Sequence, residues 1–263
     1  MFDYIKNKYN PSPWLFLQND LKKDYIYIPY VEAPFLILPA TKDEFKALHK
    51  RKFWYNIRRS QKLFEKEYGD LNFDILQTED KLNYYLDEVF ILFKKRWSDE
   101  YTSAAWKSFD GFELYKKAMI DLASANESFL AVLTDKDGKL LSHGYCLVQD
   151  QTVCFYQHTT VVDDIYRKYS LGKILVYHLL NYSIDCNYIE FDFMSGQSSY
   201  KYEWAKNERM TYRQIGKKNI PNYFKSYFFK LRYFFQFNYY CRVVLKPIMF
   251  FLEKIHEKFK VCN

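Results

Sequence analysis

The spacing of apolar and polar positions along the chain predicts its elements. Tyr25, Ile26, Tyr27 and Ile28 lie in the segment 24–30, which reads as a short strand, and Pro34 and Pro39 enclose a second. Residues 43–68 then follow a helical period, opened by Thr41 and Glu44 in capping-box spacing and stopped by Gly69. Residues 71–77 read as a strand. Thr78 begins a helix whose apolar positions are Leu82, Leu86, Val89, Phe90, Phe93 and Trp97, and a third helix is expected over 111–124.

From Ser128 the pattern becomes that of a sheet. Residues 128–134, 139–148 and 152–159 read as three strands, the first two joined by the turn Asp135-Lys136-Asp137-Gly138. A helix over 170–185 and a strand over 188–193 follow. The helix is a crossover, so the strand after it is expected parallel to the strand before it. A short helix (199–206) and a last strand (209–215) complete the body, and from Pro221 the chain reads as helical with a break at Pro247.

Composition narrows the class. The 263 residues are 49% hydrophobic and 27% charged, as in a globular chain with a sizeable core. Aromatic residues reach 21%, with 26 Tyr and 24 Phe. The net charge of +7 is unevenly placed: residues 217–263 hold ten Lys/Arg and two Asp/Glu, leaving 29 Lys/Arg and 30 Asp/Glu for the rest. The basicity therefore belongs to the C-terminal stretch, and a general nucleic-acid role is not implied. The five cysteines are scattered without C-x-x-C spacing, so neither a zinc site nor a redox pair is signalled. Met1–Asn10 has no apolar run of the signal-peptide kind, and no stretch approaches the roughly 18 apolar residues of a spanning helix. A cytoplasmic protein is expected, peripheral at the inner face of the cell membrane if the tail attaches there. P-loop, G-x-G-x-x-G and H-E-x-x-H motifs are absent.

Two spans carry a family likeness. One is Tyr166-Arg-Lys-Tyr-Ser-Leu-Gly-Lys173, which opens the crossover helix. The other runs from Tyr188 through Phe191-Asp-Phe193, Gly196, Tyr200-Lys201 and Trp204. Together they resemble the CelD-like branch of the GNAT acyltransferases, distant relatives of the FemAB transferases. Leu171 departs from the Pro often found there. The basic helix with Arg58-Arg59 resembles the family's Arg-rich first helix. The resemblance implies an α/β GNAT fold, a mixed, mostly antiparallel sheet with a βββαβ core, here with a C-terminal helical extension. It implies three parts: a lead-in (1–33), a GNAT-like domain (34–217) and a basic aromatic helical tail (218–263). It further implies an acyl-CoA donor, acetyl-CoA first, with no metal. The acceptor would be a sugar or an amine-bearing small molecule, nucleotide- or lipid-linked, in bacterial cell-surface polysaccharide biosynthesis.

The local chemistry agrees. A helix start exposes unpaired N–H groups and a partial positive charge. The donor's pyrophosphate would therefore lie at Ser170, Leu171, Gly172 and Lys173, with Arg167, Lys168 and Lys173 adding charge. The bland alternative is an ordinary capped crossover helix. Acyl transfer also needs a proton acceptor and oxyanion donors. His143 and His158 lie on adjacent strands, and each is either a general base or a satisfied buried histidine. Asp192 could hold an amine or orient a histidine, or simply pair with a protein cation. Tyr200 and Lys201 could act as acids or bind a sugar or phosphate. His178 and Trp204 read as core, His49 as solvated, and Arg58 and Arg59 as either substrate-facing or solvated.

In the tail, Phe224, Phe228, Phe229 and Phe234 interleave with Lys225, Lys230 and Arg232, a pattern that suits an anionic membrane surface or packing on the body or in a dimer, with tRNA or another polyanion ranked behind these. Two other functions remain open on sequence: a FemAB-like transferase using aminoacyl-tRNA, and a non-catalytic GNAT-like module that binds a membrane or partner.

Overall fold

A computed structural model describes residues 4–6, 25–97, 109–196 and 198–216. The expected tail, 218–263, and most of the lead-in lie outside the described residues. The strands are β1 (Tyr4–Lys6), β2 (Tyr25–Ile37), β3 (Asn72–Leu76), β4 (Ser128–Thr134), β5 (Leu140–Gln149), β6 (Thr152–Thr160), β7 (Glu190–Asp192) and β8 (Asn207–Gly216). The helices are α1 (Lys42–Ala47), α2 (Arg51–Tyr68), α3 (Glu79–Trp97), α4 (Phe109–Ser124), α5 (Asp164–Arg167), α6 (Leu171–Asp185) and α7 (Ser199–Trp204).

Two compact units are distinguished. The smaller gathers β1, β2 up to Ala33, Ser195–Gly196 and Glu208–Gly216. Within it β1 pairs antiparallel with β8, Ile5 opposite Tyr212. The Thr211 hydroxyl donates to the Val31 carbonyl and accepts from its N–H.

The larger unit, Pro34–Met194 with Ser198–Asn207, carries the candidate site. Its strand order is β2-β7-β6-β5-β4-β3. β3 to β6 form an antiparallel run, and β7 lies parallel to β6 as a crossover requires. The end of β2 closes the other side, Phe35 opposite Asp192. The Asp135–Gly138 turn forms as expected: the Asp135 carboxylate accepts from the N–H groups of Asp137 and Lys139, and Gly138 takes φ 82°.

Strand β4 is buried along its whole length and serves two cores. Phe129, Ala131 and Leu133 pack with α1, α2 and α6 on one face. Leu130 and Val132 pack with α3 and α4 on the other. The sheet is thus a middle layer between two helical layers.

Two expectations change. The two short strands around residues 24–39 are one strand, β2, which continues through Pro29 and Pro34. The single helix expected over 43–68 is two, broken between Leu48 and Lys50. Trp54 Nε1 donates to the Lys46 carbonyl at 2.7 Å, giving a freed carbonyl at the end of α1 a partner. The Thr41 cap is present: its hydroxyl accepts from Glu44 N–H, and the Glu44 carboxylate accepts from Ala40 N–H.

Candidate active site

Strand β6 is longer than its parallel partner. Only Thr152, Val153 and Cys154 pair with β7, which ends at Asp192. On the other side the register with β5 shifts at Tyr145/Cys146, so that Gln157 lies opposite Tyr145 and Phe155 opposite Cys146. Such a bulge re-aims the side chains beyond it. Those side chains are Gln157, His158, Thr159 and Thr160.

Cross-strand partners share a face, and His143 is paired with Thr159 while Gly144 is paired with His158. The two histidines, on adjacent strands as expected, therefore face opposite sides of the sheet. His143 is fully buried. Its Nε2 is 2.8 Å from Gln157 Oε1, and Gln157 Nε2 donates to Thr159 Oγ1. Its Nδ1 has no hydrogen-bond partner. Burial lowers its pKa from 6.5 to about 4, so it is neutral at pH 7.

His158 faces α6. Its ring stacks on Phe155, 4.8 Å between centres. Phe155 fills the space above Gly144, where an added Cβ would lie 2.5 Å from the Phe155 ring and 3.2 Å from Leu179. A residue without a side chain at 144 is therefore needed to seat Phe155. Burial, with Lys201 and Arg96 adding positive charge, lowers the His158 pKa to about 4.

Helix α7 brings two further residues here. The Tyr200 ring is 5.1 Å from the His158 ring. Its hydroxyl is buried without a hydrogen-bond partner, and desolvation raises its pKa. Lys201 is 7% exposed, and its ammonium donates to the Met194 carbonyl at 3.2 Å. Burial lowers its pKa from 10.5 to about 8, opposed by the charge of Asp192. Asp192 is itself buried at the end of β7 and accepts from Met194 N–H at 2.6 Å. Of the five residues singled out for catalysis, the structure brings His158, Tyr200 and Lys201 together; Asp192, paired with Cys154, lies with His143 on the opposite face of the sheet and acts on Lys201 through its charge.

The turn at the start of α6, expected to hold the donor, has mixed character. Ser170 takes a left-handed conformation, φ 53° and ψ 42°, without capping α6 through its side chain. Its carbonyl accepts from the N–H groups of Lys173 and Ile174. Leu171 is buried, so only its backbone could meet a ligand. At Gly172 an added Cβ would be 3.0 Å from Thr160 Oγ1, so this glycine lets α6 approach β6. Lys168 is bound to Glu67, which also accepts from the Tyr169 hydroxyl. Lys173 is ion-paired with Glu203. Arg167 is exposed and, with Tyr68, Asp164, Ile165 and Lys168, lines an open cavity of about 520 Å³. Among the described residues, no group of three or more His, Cys, Asp or Glu is placed to hold a metal.

Residues 51–202 match the acetyltransferase (GNAT) domain family. The chain belongs to that family. This span runs from the start of α2 into α7 and includes the turn before α6 and the His158–Lys201 cluster. No curated protein matches the chain in sequence. Among solved structures, a conserved protein of unknown function from Bacteroides thetaiotaomicron shares the fold at TM-score 0.54 and 16% identity, over 78% of this chain and 66% of that one. The C-terminal domain of a putative lysylphosphatidylglycerol synthetase from Agrobacterium fabrum aligns at TM-score 0.48 and 12% identity, over 76% and 64%. FemX aligns at TM-score 0.49 and 10% identity, over 73% and 63%. The chain thus spans about two thirds of the length of these neighbours.

His49 and its surroundings were not legible as a cluster. His49 is not solvated as expected. It stacks on Phe53 at 4.3 Å and meets Trp54 and Trp204 edge-on, and burial lowers its pKa to about 4. Gln157 and Phe155 were also missed, because their alignment with His143 and Gly144 depends on the β6 bulge. The glycine inside a strand at 144 was the one available signal of a close approach.

Proposed function

We propose that this GNAT acyltransferase moves an acyl group from an acyl-CoA, acetyl-CoA first, to an amine or hydroxyl of a sugar in bacterial cell-surface polysaccharide biosynthesis. The observation that carries the reading is the family domain, whose span includes both the α6 donor turn and the His158–Tyr200–Lys201 cluster. Backbone N–H groups at the start of α6, with Arg167 beside them, would hold the donor's pyrophosphate.

In the chemical step a neutral amine or hydroxyl attacks the thioester carbonyl. The C–N or C–O bond forms, and the C–S bond breaks. Lys201, with a pKa of about 8, takes the acceptor's proton in its neutral form. Asp192 tunes it from behind. Tyr200, un-ionised and with an unused hydroxyl, gives a proton to the departing thiolate. His158 supports the Tyr200 ring and supplies a second neutral acceptor, while His143 holds Gln157 and Thr159 on the other face.

Calorimetry with acetyl-CoA, longer acyl-CoAs and an aminoacyl-tRNA tests the donor. Acyl-CoA binding that weakens in Arg167→Ala supports the reading. Binding of the aminoacyl-tRNA alone, or of neither donor, overturns it. Acyl transfer to nucleotide-sugar acceptors then tests the acceptor.

A further inference from the structure

Helix α2 carries a surface to which the proposed acyl transfer assigns no role. Arg51, Lys52, Arg58, Arg59, Lys62 and Lys66 are all exposed, and none is ion-paired to a described residue. At about 100° per residue these six fall within an arc of about 120°, along about 22 Å of helix. Tyr55 lies in the middle of the arc and is 57% exposed. The two carboxylates of the helix are otherwise engaged: Glu65 accepts from Gln61, and Glu67 is held by Lys168 and Tyr169. The opposite side of the helix, Trp54, Ile57 and Phe64, is buried in the core, which fixes the stripe outward.

We infer that this stripe is a contact surface for an anionic lipid bilayer, on which α2 lies parallel to the membrane plane. Four observations favour a bilayer over other polyanions. The stripe is a convex ridge, and a flat sheet of headgroups can meet all six cations of a ridge at once. Its single aromatic, Tyr55, is of the kind that sits at headgroup level. An A-form RNA duplex offers a major groove too deep and narrow for a helix, and single strands are held on several stacking rings, where this face has one. A protein partner would be expected to meet an apolar centre, and here the centre is charged.

All six cations lie on described residues, and the test keeps the basic tail in place. The full chain is sedimented with vesicles of phosphatidylcholine, with and without phosphatidylglycerol. Binding is expected only to the anionic vesicles. In R58E/R59E it is expected to fall more than tenfold, since each cation near an anionic leaflet contributes about fivefold. The milder R58Q/R59Q is expected to lie between. A control of equal charge on other helices, K94E/K117E, is expected to bind as the unaltered protein does, and unchanged circular dichroism verifies folding in each.

The inference is overturned if the unaltered protein does not sediment with anionic vesicles, if R58E/R59E binds as well as the unaltered protein, or if the control loses as much. It is also overturned if single-stranded or transfer RNA binds through the stripe while vesicles do not. None of these readouts requires acyl transfer, so they stand or fall apart from the proposed activity.

Discussion

The Tyr200 ring sits 5.1 Å from the His158 ring, with its hydroxyl buried and unbonded. A buried hydroxyl without a partner costs about 1–3 kcal/mol. Tyr200→Phe removes the hydroxyl and keeps the ring. The expected outcome is a protein as stable as, or about 1 kcal/mol more stable than, the original in urea titration, with turnover reduced about a hundredfold. A variant that loses stability and keeps its turnover would show that the hydroxyl serves packing.

Lys201 predicts a pH profile. Its folded pKa of about 8 lies below the ordinary 10.5, so between these values the unfolded state binds more protons. Stability should therefore rise as pH climbs from about 8 to 10.5, with the burial penalty fully in force below that window. Turnover should rise through about pH 8 as the amine becomes neutral. In Lys201→Met both slopes should flatten, as read by urea titration and initial rates across the range.

His143 predicts the acid side. Its folded pKa of about 4 is below the ordinary 6.5, so on acidification the unfolded state takes up the proton first. Stability is lost between pH 6.5 and 4, with a contribution on the order of 3 kcal/mol from this wholly buried ring. His143→Gln is expected to lower stability at pH 7 and to make it less dependent on pH over this interval. The slope identifies the titrating group, and the offset reports the lost contact with Gln157.

Gly144→Ala is expected to destabilise by about 1–3 kcal/mol, because its Cβ would overlap the Phe155 ring at 2.5 Å. Phe155→Leu in the same chain should recover part of the loss. If Gly144→Ala melts like the original protein, the close packing of Phe155 on β5 is not a constraint.

The strand meander, the Asp135–Gly138 turn and the parallel crossover were legible because each is local: alternation, turn chemistry and connection length. The break after α1 was not, since residues 48–50 hold neither Gly nor Pro and the break is accommodated by Trp54, four or more residues on. The environment of His49 was hidden for a related reason, because Trp204 reaches it from the far end of the domain. The opposed facing of His143 and His158 could not be read either. Alternation along one strand gives no register with the next, and the β6 bulge resets it.

Glu67 and Glu203 have a consequence for how the two surfaces proposed to bind anions respond to ionic strength. Each binds one lysine beside the start of α6, Lys168 and Lys173, so that the turn is left chiefly with backbone dipoles and Arg167. Fixed N–H groups at short range are screened little by salt, whereas a row of exposed cations is screened strongly. Raising salt from 0.05 to about 0.5 M is therefore expected to release the protein from anionic vesicles while acyl-CoA affinity changes only a few-fold. Parallel titrations would separate docking from donor capture within a single chain.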